Sequence, residues 1–452
     1  MFHKLGLIKT LLSIFGCSIV ISGLSQTKPE EINEVLKAYN KQRLFNGTAL
    51  VARQGRILLE KGYGYKDIGS NSPNDSNTVF QIGSLTKQIT AVIILQLQEQ
   101  LKLSVSDPVS KYIPGYPEGD SITLEHLLTH TSGIFNYTKN ESFMNEQAIK
   151  PVRLEALIDL FRNKPLAFTP GEKFSYSNSG YILLGYIIEK ITGKSYFEIV
   201  RNNIFQPLGM THSGFDFKGL KSRDKATGYL SLPRHITKPA PIVDSTVSFS
   251  AGGIYSTVGD LYKWDRALYT EKMVSRASLE KAFSPYKSNY GYGWVIDTTF
   301  DKKALMHEGG IVGFESFIAR VPEDEICILL LDNEGSVALP KIAESIDAIL
   351  NDQPYDFPRE RKEIEVDANL LRQYTGDYEL SPGFILSIGL ENGQLTAQVA
   401  GQEKTILFAE RDDFFYLKLT DFQVEFIKGP EGRVERLNLY QGGQKLPAIK
   451  IR

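Results

Sequence analysis

The chain has 452 residues, of which 42% are hydrophobic and 23% charged, and a formal net charge of −2. That balance excludes a mostly disordered protein, and the length calls for one large and one smaller domain. Lysine and arginine are spread without a basic block or stripe, so nothing points to nucleic acid as a partner.

Residues 1–25, MFHKLGLIKTLLSIFGCSIVISGLS, combine a basic start, a short apolar run and small residues at Gly23 and Ser25. This is the pattern of a secretory signal cut before Gln26, and it predicts a periplasmic or secreted mature chain without a membrane span. Phe15 is too bulky for lipoprotein processing at Cys17. Cys17 and Cys327 are the only cysteines, so the mature chain can form no internal disulfide. Cys327, within the apolar run ICILLL, reads as a core residue.

Residues 30–44 have helical spacing, and 47–67 read as two strands around a turn at Gln54-Gly55. A helix is predicted from Ser84 through the apolar run AVIILQLQEQ, followed by a helix-rich middle over 101–176. A long amphipathic helix runs from about Gly180 to Gly193, and another, VGDLYKWDRAL, begins near Asp260. Between 290 and 351 the stretches YGYGWVID, KALMHEGG, FESFIARV and ICILLLD read as strands, and LPKIAESIDAIL as a closing helix. The order predicts an α/β (α+β) domain over 26–351, an antiparallel sheet flanked by helices. Charge and proline mark a linker over 352–364. About eight short strands with turn signals over 365–452 predict a small antiparallel β-barrel.

Three stretches carry candidate chemistry. Ser84-Leu85-Thr86-Lys87 is one of several Ser-x-x-Lys sequences, among them those at Ser222, Ser278 and Ser284, so the motif alone decides nothing. Its setting does. Residues three apart on a helix are surface neighbours, and a serine at a helix start has unpaired N–H groups beside it. A plain helix cap explains Ser84 equally well unless partners converge on it. Tyr176-Ser177-Asn178 is the only Tyr-x-Asn in the chain. A tyrosine with a depressed pKa can relay a proton, and an asparagine amide can hold both an ammonium and a carbonyl; the alternative is a turn before a helix. His307-Glu308-Gly309-Gly310 lies on a predicted strand where glycines admit a ligand close to the backbone. The alternative there is a bulge with a half-exposed histidine.

In this order the three stretches resemble the serine β-lactamase and penicillin-binding-protein family, in its class C-like (CubicO-type) branch. LLTHTSGI, PGEKFSYSN, QPLGMTHSGF and SAGGIYSTVGDLYKW extend the resemblance over about residues 30–351. YTGDYEL makes the tail similar to a lipocalin-like barrel. The resemblance implies a covalent acyl-enzyme at Ser84, with Lys87 and Tyr176 sharing the proton transfers. It further implies that Asn178, His307 and Gly309 contact substrate, and that Gly310 and Ser84 supply oxyanion N–H groups. Neither a metal nor an organic cofactor is implied. The implied substrate is a small molecule or peptide, a D-amino-acid peptide or a small ester. The competing class is a non-catalytic or slowly acylated penicillin-binding sensor. Oligomeric state is left open.

Two departures bear on substrate choice. Many relatives carry Lys-Thr-Gly on the strand, where this chain has His307 and Glu308. If Glu308 lines the pocket, its charge disfavours penicillins and free C-terminal carboxylates, and β-lactamase turnover is expected to be low. His126 and His130 stand four apart, but neither zinc-peptidase pattern is formed, since Ile122 and Leu127 occupy the deciding positions.

Overall fold

The computed structural model describes residues 27–231, 237–355, 357–358, 361–399, 404–418, 422–441 and 444–451. The signal read in 1–25 lies outside these residues. Six strands form the central antiparallel sheet: β1 (Gly47–Arg53), β2 (Arg56–Tyr63), β3 (Val295–Thr299), β4 (Lys302–Ile311), β5 (Phe314–Val321) and β6 (Ile326–Asp332). Their order is β2-β1-β6-β5-β4-β3, so the first strand pairs with the last, Gly47 opposite Asp332 and Ala52 opposite Cys327. The predicted α/β architecture is therefore present. The YGYGWVID strand is shorter than its alternation suggests and starts only at Val295. Gly293 takes φ +78°, and a Cβ there would lie 3.0 Å from the backbone of Lys87 and Gln88, so this segment bends over the helix behind Ser84.

Both faces of the sheet are covered. On one, Ile32, Val35 and Leu36 of helix Lys28–Lys41 and Ile342 and Ile346 of helix Leu339–Leu350 pack on Val51, Phe317, Ile328 and Leu330. On the other lies the larger core, built around the apolar helix Thr86–Glu99 and helix Asn178–Thr192, which ends at Gly193 in the left-handed region, φ +67°. Arg320 of β5 is fully buried there, paired at 2.8 Å with Asp265 of helix Val258–Ala267. A buried cation is tolerated only when paired in this way.

After residue 351 the described part of the linker has no regular structure. Beyond it, a short helix, Ala368–Tyr374, precedes nine antiparallel strands between Gly376 and Lys450. The first of these, Gly376–Ser381, pairs with the last, Gln444–Lys450. The two edge strands, Thr405–Ile406 and Phe408–Arg411, follow one another in the chain, leaving a nearly closed barrel around Tyr378, Leu386, Phe415, Phe426 and Leu437. Among the described residues no helix is long and apolar enough to cross a membrane.

Candidate active site

Ser84 lies in a 3-10 turn, Gly83–Leu85, and the α-helix starts only at Thr86. No side chain caps that helix, and the Ser84 hydroxyl is engaged elsewhere. Lys87 Nζ lies 2.8 Å from Ser84 Oγ, and the Tyr176 phenol donates to the same oxygen at 2.9 Å. Lys87 is fully buried. Its other partners are Asn178 Oδ1 at 2.8 Å and the Ala251 carbonyl at 2.7 Å. Both of these oxygens only accept. A neutral amine gives them its two protons and turns its lone pair toward Ser84. Burial drives the Lys87 pKa well below its ordinary value, in the direction of that neutral amine.

Tyr176 departs from expectation. Burial raises its phenol instead of lowering it, so it keeps its proton and acts as a donor to Ser84. The cause is enclosure by other rings. His130 stacks on Tyr176 with centroids 4.1 Å apart, while its carbonyl accepts from Ser175 N at 2.9 Å and its Nδ1 from Ser177 N at 3.2 Å. His130 thus grips the backbone on both sides of Tyr176. It does so from a left-handed backbone, φ +56°, which marks a constrained position. The Ala251 acceptor has a similar origin: segment Ser245–Gly252 is broken at Phe249 (φ 37°, ψ −129°), which frees the Ala251 and Ser250 carbonyls for Lys87 and Thr90.

Strand β4 supplies the third wall. β3 pairs with it only from Lys302 to Met306, so from His307 onward that edge is open. The Ser84 turn packs against the face of the sheet beside that edge. A Cβ on Gly83 would lie 2.9 Å from Gly310 O, and one on Gly309 would lie 2.2 Å from Ile82 O and 3.1 Å from Ser84 N. Ser316 of β5 ties the two together, donating to Ile82 O (2.8 Å) or to Gly309 O (3.1 Å).

The structure therefore gathers Ser84, Lys87, Tyr176 and Asn178 directly and brings Gly309 and Gly310 against the Ser84 turn. His307 is placed differently from expectation. Its ring is buried, with Nδ1 2.5 Å from the Glu308 carbonyl and Nε2 2.8 Å from the Tyr290 hydroxyl. Burial lowers its pKa to about 3, so it carries no charge at neutral pH.

Glu308 does not line the pocket. Gly309 faces Ser84 whereas a Cβ on Gly310 would meet Glu315 Oε1 at 2.9 Å, so alternation puts Glu308 on the far face beside Glu315. The argument from its charge against carboxylate substrates falls away. The pair has another effect. Burial, with the Asp332 and Glu308 charges, pushes Glu315 up to about 8. Between its unfolded and folded pKa the folded state holds the extra proton, so stability falls as pH rises through that window. Glu315→Gln is expected to raise Tm by ~2–4 °C near pH 9 and to leave it unchanged near pH 5, as read by thermal unfolding.

Sequence reasoning missed His130, Tyr290, Ser316 and the Ala251 carbonyl. LLTHTSGI carries part of the resemblance, but only its spacing from His126 bears on His130 in the sequence. Its Nδ1 accepts the Ser177 N–H, and His126 Nδ1 accepts from Thr123 N at 3.2 Å.

A β-lactamase family model matches residues 32–346, and a model for a domain of unknown function, DUF3471, matches 360–448. Penicillin-binding protein 4* of Bacillus subtilis is 31% identical over 95% of this chain and 100% of its own length. The chain belongs to the β-lactamase family. Among solved structures, the octameric penicillin-binding protein homologue from Pyrococcus abyssi superposes with a TM-score of 0.69 at 26% identity, covering 93% of this chain and 99% of that one. A penicillin-binding protein from Bacillus halodurans gives 0.63 at 28% identity, over 70% of this chain and 98% of its own. The motif resemblance read in the sequence thus extends to the whole β-lactamase-family domain and to the tail.

Proposed function

We propose that this β-lactamase-family chain is an exported serine hydrolase that forms an acyl-enzyme at Ser84 on amide or ester bonds, with D-amino-acid peptides or small esters as substrates. The observation that carries the reading is the convergence of Lys87 Nζ and the Tyr176 hydroxyl on Ser84 Oγ, at 2.8 and 2.9 Å. In acylation, Ser84 Oγ bonds to the substrate carbonyl carbon as its proton passes to the Lys87 amine. The C–N or C–O bond then breaks as Tyr176 delivers a proton to the departing atom, and the proton taken up by Lys87 restores the phenol. N–H groups of Ser84 and Gly310 stabilise the oxyanion, and water hydrolyses the resulting ester. Asn178 holds Lys87 and, with its amide, orients the substrate.

The uncharged His307 supports low β-lactamase turnover, because it offers no cation where many relatives have lysine. Full-length similarity to a penicillin-binding protein favours, as a second reading, a slowly deacylating penicillin receptor. Labelling with a fluorescent penicillin and a fluorophosphonate separates these. Both labels are expected on the wild type and on no Ser84→Ala protein. Rapid release from a D-amino-acid amide or p-nitrophenyl ester supports the hydrolase, a persistent penicillin adduct the receptor, and no label at all a non-catalytic binder. Export rests on residues 1–25, and a mature chain starting at Gln26 in N-terminal sequencing is the expected result.

A further inference from the structure

Tyr290 belongs to none of the three motifs, yet it touches two of them. It is buried at 2% exposure in the turn before β3. Its hydroxyl lies 2.8 Å from His307 Nε2, and His307 Nδ1 lies 2.5 Å from the Glu308 carbonyl oxygen. A carbonyl oxygen has no proton to give, so Nδ1 carries the imidazole hydrogen. In the neutral ring Nε2 is then an acceptor, and the Tyr290 hydroxyl is the donor. On its other side the Tyr290 ring packs on His130, with centroids 4.7 Å apart, and edge-on to Tyr176 at 6.3 Å. Tyr290 thus bridges the strand bearing Gly309 and Gly310 to the ring cluster that holds the Tyr176 phenol.

We propose that Tyr290 is a positioning residue for acylation: by donating to His307 it fixes the imidazole as the neutral Nδ1–H tautomer and sets the spacing between Tyr176 and β4. The inference rests on Ser84 being the acylated nucleophile. It also assigns His307 a different task from a substrate contact. The imidazole becomes an internal strut, and the substrate meets the strand backbone beside it. The titratable groups facing that imidazole are Tyr290 itself, Lys87 of the Ser84 helix, Tyr176 of the loop before helix Asn178–Thr192, and His130. Among these, Tyr290 is the donor to Nε2, so its loss acts on the ring directly.

Tyr290→Phe keeps the ring packing and removes only the donor. The expected result is an acylation rate with a p-nitrophenyl ester lowered about 10- to 100-fold at nearly unchanged KM. The His307 titration, read by its 15N shifts, is expected to move to higher pH in the variant, because the neutral imidazole has lost the bond that favoured it. A wild-type rate and an unmoved His307 titration in a folded variant would overturn the proposal. A second measurement needs no folded variant at position 290. In wild-type protein labelled with 15N-histidine, with the His307 signals assigned by their loss in His307→Gln, His307 is expected as neutral Nδ1–H at about pH 7. An Nε2–H tautomer or an imidazolium there refutes it. Failure of fluorophosphonate to label wild-type Ser84 would sink the functional reading instead, and leaves the tautomer result to stand by itself.

Discussion

Lys87→Ala is expected to lower the acylation rate by about 10³- to 10⁴-fold while leaving the chain folded. The amine is the one basic group in contact with Ser84 Oγ among the described residues, and the second partner, Tyr176, keeps its own proton. Retention of the fold follows from what the lysine touches. Its partners are an amide oxygen, a carbonyl and a hydroxyl, so its removal strands no buried carboxylate. The orphaned acceptors cost about 1–3 kcal/mol, which a domain of this size can bear. Fluorophosphonate labelling rates and circular dichroism on the same preparation check both halves. Unfolding would turn Lys87 into a structural residue, and a near-normal rate would transfer the base role elsewhere.

Gly309→Ala should be nearly as damaging, for a steric reason. The added methyl would sit 2.2 Å from Ile82 O, 2.4 Å from Ser316 Oγ and 3.1 Å from Ser84 N. Backbone stands on two of those sides, so β4 and the Ser84 turn must separate. A displacement of ~1 Å at a reacting centre costs about 10²-fold in rate. Overpacking adds about 1–3 kcal/mol of destabilisation. Gly310→Ala is the control. Its methyl points to the other face and meets only the end of the Glu315 side chain at 2.9 Å, which can swing away. Labelling kinetics should therefore rank Gly309→Ala far below Gly310→Ala. Equal rates would mean that the turn and the strand are not in contact as described.

The amino-acid order carried the architecture and the directly bonded centre because both depend on local pattern. Apolar periodicity delimited helix Leu339–Leu350 and strand β6 closely, and motif spacing found Ser84, Lys87, Tyr176 and Asn178. What stayed hidden depends on long-range placement. Tyr290 sits in a stretch whose alternation reads as strand, and only the fold turns it toward His307. Glu308 looks like a pocket residue beside Gly309, but the pleat sends it to the opposite face. The direction of the Tyr176 pKa could not be read either, since His130, which lies far from it in the sequence, encloses its ring.

The pairing of β1 with β6 has a consequence for how the chain is made. During synthesis the segment that ends at Asp332 is the last strand of the central sheet to emerge, and until it does the strand at Gly47 lacks its inner neighbour. The Ser84 helix can form early, but the strands that face it, β4 and β5, arrive late. The acylation proposed for Ser84 is therefore expected only once almost the entire β-lactamase-family domain has left the ribosome. Such non-local closure also makes folding slow, because long loops must close before their contacts form.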